Sequence, residues 1–114
     1  MARPSIPSPL DRRHLLEQDL DARRASQIAE AYLAEGRKNE ALDFLVKAGD
    51  PEALKRLVGD AVDDGDAFLL QSVYRALGEE PDRATWARCA DAAEAKGKHR
   101  YATTARRNAA RGED

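Results

Sequence analysis

Large apolar side chains are scarce in this chain of 114 residues, which has three Tyr, two Phe, one Trp and one Met. Cysteine is scarcer still. Cys89 stands alone, so an internal disulfide is excluded, and a single thiol suits a reducing compartment. No stretch approaches the roughly 18 consecutive apolar residues that a bilayer span needs. Residues 1–9 hold three of the five prolines and no apolar run, so neither a secretory leader nor an anchor is expected there. The expectation is a flexible proline-rich arm on a cytoplasmic protein. Runs of β-branched residues are missing too, which leaves nothing to seed a strand.

What the chain does have is alanine and charge. It carries 22 alanines, and charged residues make up 35% of the whole. A mixture of Ala, Leu, Glu, Lys and Arg favours helix nearly everywhere, so the expected class is all-α. The length fits one domain, over residues 10–112. The net charge of −2 conceals an uneven layout. Residues 50–82 hold nine acidic against three basic groups, and residues 83–112 hold eight basic against two acidic. Such a dipolar surface suits head-to-tail self-association between the acidic middle and the basic C-terminal part.

Six glycines, Gly36, Gly49, Gly65, Gly78, Gly97 and Gly112, each follow a stretch of helical periodicity. Glycine closes a helix in the left-handed conformation without steric cost, so the row predicts six C-terminal stops. Ser8 followed by Pro9 predicts the start of a short leading helix, with Leu10, Leu15, Leu16 and Leu20 inward. Asp50-Pro51, Asp66 and Pro81-Asp82 predict further starts. The apolar stripes are Ala25, Ile28, Ala29 and Tyr32; then Ala41, Leu42, Leu45 and Ala48; then Leu54, Leu57, Val58, Ala61 and Val62. Leu69 or Leu70 with Val73, Tyr74 and Leu77 follow, then Trp86, Cys89, Ala90 and Ala93, and last Tyr101, Ala102, Ala105 and Ala109. Connections this short place neighbouring helices antiparallel, which gives hairpins over about 22–49, 51–78 and 81–112.

Chemistry-bearing residues are sparse. His14 and His99 lie in the first and last helical segments, and Cys89 lacks a second cysteine for a zinc site. Asp60, Asp63, Asp64 and Asp66 lack the alternation of a calcium loop. The expectation is no catalytic residue, no metal and no cofactor.

Aligning Gly36, Gly65 and Gly97 exposes an internal repeat at spacings of 29 and 32 residues. Apolar residues recur four, seven and eight positions before each glycine, and five and twelve after it. Nine after, Leu45 and Tyr74 give way to Arg106. The run Ile28-Ala29-Glu30-Ala31-Tyr32-Leu33-Ala34-Glu35-Gly36-Arg37-Lys38-Asn39-Glu40-Ala41-Leu42 resembles the core of a tetratricopeptide repeat. Ala48, Pro51 and Trp86 also fit that family, whose usual period is about 34 residues. Coat-protein and clathrin-type hairpins share the glycine-ended form.

The resemblance implies a right-handed array of three antiparallel hairpins, behind the short N-terminal helix. It also implies a protein-binding scaffold or adaptor, not an enzyme. In that family the first helix of each hairpin lines a concave groove. Carried onto this chain, the lining is Arg23, Ser26, Glu30 and Leu33, then Glu52, Lys55, Val62 and Asp63, then Ala84, Ala87, Asp91 and Glu94. Gly59 falls in the same row. Ser26 and Glu30 stand where a carboxylate-clamping member has Lys and Asn, so a basic or amphipathic partner segment is expected. The alternative is a nucleic-acid accessory role for residues 98–111, through Lys98, Arg100, Arg106, Arg107 and Arg111. The acidic middle and the shortage of interleaved aromatics disfavour it.

Overall fold

Short polar side chains cap the starts of four helices. The computed structural model describes residues 6–111, and seven helices follow one another through them. These are α1 (Pro9–Glu17), α2 (Ala22–Ala34), α3 (Lys38–Ala48), α4 (Pro51–Asp64), α5 (Ala67–Leu77), α6 (Arg83–Ala95) and α7 (His99–Arg111). No strand occurs among the described residues. Ser8 Oγ accepts from Asp11 N at 3.2 Å. Asp50, Asp66 and Asp82 accept in the same way from Ala53, Leu69 and Thr85 at 3.1, 3.0 and 2.7 Å. Each bond satisfies an amide that the first helical turn would leave without a partner. Pro51 opens α4, whereas Pro81 precedes the cap and α6 starts at Arg83.

The helix ends follow the glycines. Gly36, Gly49, Gly65, Gly78 and Gly97 all have φ between 63° and 73°. Gly112, and residues 1–5 of the proline-rich arm, lie outside the described residues. After Gly36, Gly65 and Gly97 the chain turns alike. Arg37 N donates to Tyr32 O at 2.9 Å, Asp66 N to Ala61 O at 2.9 Å and Lys98 N to Ala93 O at 2.8 Å. Each pairs a carbonyl that the helix end would otherwise leave open.

The chain divides into two compact units, Met1–Leu54 and Lys55–Asp114. In the first, α3 packs against both α2 and α1. Coverage from two sides widens its buried face, so Ala41, Leu42, Phe44 and Leu45 are all buried. Phe44 stacks on Tyr32 with ring centroids 5.7 Å apart and planes 20° from parallel. An ion pair between Arg12 and Asp43 joins α1 to α3, and Lys47 Nζ donates to Gln18 O at 2.7 Å. In the second unit α6 packs on α7, with α5 against both. Its core is Leu57, Ala61, Leu69, Leu70, Val73, Trp86, Cys89, Ala90 and Ala93, closed over by Ala102 and Ala105.

Two expected core positions, Leu10 and Tyr101, are exposed. Leu10 is 63% exposed because α1 is nine residues long and buries none of them; Leu15, Leu16 and Leu20 are only half-buried. Tyr101 is exposed, since α7 meets its neighbours through small alanines. Conversely, Phe44 was absent from the expected stripe and is fully buried, while Phe68 points out at 66% exposure.

Candidate functional site

Four of the candidate lining residues, Arg23, Ser26, Glu30 and Leu33, share one row of α2 by their spacing of three and four. Arg23 and Glu30 are exposed, and Ser26 and Leu33 are half-buried. On α4, Glu52, Lys55 and Asp63 are exposed and Val62 is half-buried. On α6, Asp91, Glu94 and Ala84 are exposed and Ala87 is half-buried. Gly59 is exposed, and a Cβ there would meet nothing within 4 Å.

The basic helix is partly engaged with these acids. Arg106 Nη2 lies 3.3 Å from Asp91 Oδ1 and also pairs with Glu94. The hydrogen bonds from Glu94 and then Asp91 raise the Arg106 pKa further, so the guanidinium stays charged. Lys98 Nζ donates to Asp64 O at 2.8 Å, and Lys96 Nζ sits 3.5 Å from Asp64 Oδ1. Arg100, Arg107 and Arg111 are exposed and share a row of α7. The departure of Arg106 from the apolar repeat therefore has a partner: the position is exposed and bridges α7 to α6.

Cys89 is fully buried. Burial first, and the negative charge of Asp66 second, push its thiol from 9.0 up to about 11, with Lys98 acting in the opposite sense. The thiolate is the reactive form, so the folded chain offers no cysteine nucleophile near neutral pH. Native protein should react with a thiol reagent far more slowly than urea-unfolded protein. The raised value also has a thermodynamic sign. The unfolded state releases the proton first, so this group's stabilising contribution is complete below pH 9 and declines between 9 and about 11. A Cys89→Ala variant should lose that part of the alkaline decline in a urea titration repeated across pH. An unchanged slope would refute the assignment.

His14 and His99 are exposed, on α1 and α7. Among the described residues, no group of three His, Cys, Asp or Glu could hold a metal. No helix among them is long and apolar enough to cross a membrane.

Two features went unread in the sequence. One is a cavity of about 520 Å³ in the second unit, bordered by Tyr74, Glu79, Trp86 and Arg111. The other is a cavity of about 450 Å³ in the first unit, bordered by Tyr32 and Arg12. Tyr32 Oη and Arg12 Nε are both buried without a hydrogen-bond partner. Helical periodicity marks Tyr32 as a core residue but carries no signal for an unpaired hydroxyl. No protein-family model matches the chain, and no curated protein or solved structure matches it.

Proposed function

We propose that the chain is an interaction module of helical hairpins whose outward rows hold a basic or amphipathic segment of another protein. The observation that carries this reading is a recurrence in burial. Four residues before the turn glycines, Tyr32, Ala61 and Ala93 are each 0% exposed. Eight before, Ile28, Leu57 and Cys89 are buried, and five after, Ala41, Leu70 and Ala102 are buried. A repeat that buries the same positions frees the same positions for contact, which is the logic of tetratricopeptide-like arrays. In this reading the chain is a cytoplasmic scaffold or adaptor with no catalytic role and no cofactor. Affinity capture from native lysate tests it, with Arg23, Glu30, Lys55 and Asp63 all charge-reversed in the control. The expected result is loss of the captured partner. Recovery of the same proteins by both chains would remove the assignment.

Self-association between copies follows from the opposed charges of residues 50–82 and 83–112. Because exposed charges are screened within about 10 Å at 0.1 M salt, it should weaken on raising salt about tenfold in sedimentation. One observation favours a second reading. Arg100, Arg107 and Arg111 form an exposed basic row on a helix with no acidic residue, the kind of surface that contacts phosphates. A salt-sensitive mobility shift with RNA or DNA near micromolar protein would support it, and no shift would end it.

A further inference from the structure

Polar atoms buried without partners are rare in folded chains, because each gives up its water and gains no bond in exchange. The first unit has two, Tyr32 Oη and Arg12 Nε. Arg12 belongs to α1 and Tyr32 to α2, and both side chains border one groove together with Pro7, Pro9 and Asp43. With α1 docked, neither atom is open to solvent or bonded to a protein group. Docking of α1 therefore carries a desolvation cost.

Little offsets that cost. α1 spans nine residues and buries none of them. Leu10 is exposed, and Leu15 and Leu16 are half-buried. The helix packs on α3 rather than on the α2 that follows it. A groove of about 340 Å³ lies between α1 and α2, bordered by Leu15 and Gln18 on one side and by Arg24 and Ile28 on the other. What fastens α1 is polar: the Arg12–Asp43 ion pair, and the bond from Lys47 Nζ to Gln18 O. Partly exposed pairs of this kind contribute little, and salt screens them. Nor does so short a helix hold itself in water, where isolated helices below about 12–15 residues are marginal. The hairpin of α2 and α3 differs, because its core holds the fully buried Tyr32, Phe44 and Leu45.

We propose that α1 is a charge-held latch on the first unit, which detaches and unwinds while α2 and α3 stay paired. Detachment hydrates Arg12 Nε and Tyr32 Oη, and it frees Asp43 and Lys47 of α3 from their bonds to α1. The two orphaned donors weaken the closed form, and ionic strength sets how often the latch is open. None of these residues stands in the outward rows, so the latch does not rest on the interaction-module reading.

Amide exchange followed by NMR on the full chain reads the two events separately, through residues 12–18 for α1 and residues 25–45 for α2 and α3. Protection in α1 is expected at least about tenfold below that of α2 and α3. It should fall further as salt rises from about 50 to about 500 mM, while theirs holds. Asp43→Asn should lower α1 protection and remove most of its salt dependence. Tyr32→Phe deletes one orphaned donor and should raise α1 protection about fivefold. Arg12→Lys keeps the charge but deletes Nε, and should act in the same direction. If Tyr32→Phe loosens the hairpin itself, Arg12→Lys carries the same test from the α1 side. A helix that merely frays at its end would respond to Asp43→Asn but gain nothing from Tyr32→Phe or Arg12→Lys. A rise in α1 protection in either variant supports the latch, and no rise in both would overturn it. Equal protection of α1 and of the α2–α3 hairpin in the unsubstituted chain would overturn it as well.

Discussion

Gly65→Ala costs the second unit about 3–5 kcal/mol, enough to unfold much of it under conditions where the unsubstituted chain is folded. Two penalties coincide at this position. Its φ of +67° is one that alanine adopts at a cost of about 1–2 kcal/mol. A Cβ there would also stand 2.4 Å from both Ala93 N and Ala93 Cα and 2.8 Å from Ala93 Cβ. The two nearest atoms are helix backbone, which cannot swing aside, so one chain or the other must shift. Gly78 and Gly97 supply the control, because they have φ of +73° and +72° and nothing within 4 Å. Alanine at either should cost only the conformational part, about 1–2 kcal/mol. Trp86, the only tryptophan, is buried on α6, so its fluorescence in a urea titration reads this unit directly. Equal midpoints for Gly65→Ala and Gly78→Ala would show that the approach to Ala93 carries no weight. Ala93→Gly should fail to rescue Gly65→Ala, since it leaves the two shortest contacts in place.

Phe44→Ala should cost the first unit about 3–5 kcal/mol, the usual penalty for deleting a buried phenylalanine. The reason is dependence on very few groups. The largest side chains buried below 2% in residues 6–54 are Tyr32, Phe44 and Leu45. Removing Phe44 leaves a hole against Tyr32 and forfeits a stacked aromatic pair worth about 0.5–1.5 kcal/mol beyond its area. Phe44→Leu keeps most of the volume and should cost clearly less. Hydrogen exchange is the suitable readout, because local opening of α2 and α3 appears as loss of amide protection in Ala25–Leu45. Protection within about 1 kcal/mol of the unsubstituted chain would refute the claim. Phe68→Ala, at a side chain 66% exposed, should change little.

Much of the fold was legible because the signals are local. A side-chain oxygen on Asp50, Asp66 or Asp82 meets an amide three residues on, and a glycine with positive φ needs no distant partner. Stripes such as Ile28, Ala29 and Tyr32, or Trp86, Cys89, Ala90 and Ala93, are buried as expected, because an amphipathic helix has one face to hide. The misplacements occur where burial depends on how many neighbours a helix has. Leu10 lacked a partner wide enough to cover it, and Phe44 gained one because α1 and α2 both lie on α3. The candidate interaction residues were legible only as rows on helices. Their partners were not: Arg106 meets Asp91 and Glu94 across 15 and 12 residues of chain, and nothing in local spacing announces that.

The amino-acid sequence by itself determined the all-α class, the four capped helix starts at Ser8, Asp50, Asp66 and Asp82 and the five described glycine ends, since capping and backbone conformation are settled within a few residues. Only the tertiary structure decided which faces are covered, why Gly65 alone among those five tolerates no Cβ, and that Tyr32 and Arg12 each hold a buried polar atom without a partner. Those properties arise where segments far apart in the chain meet, and a contact between them is a property of the packed whole rather than of either segment.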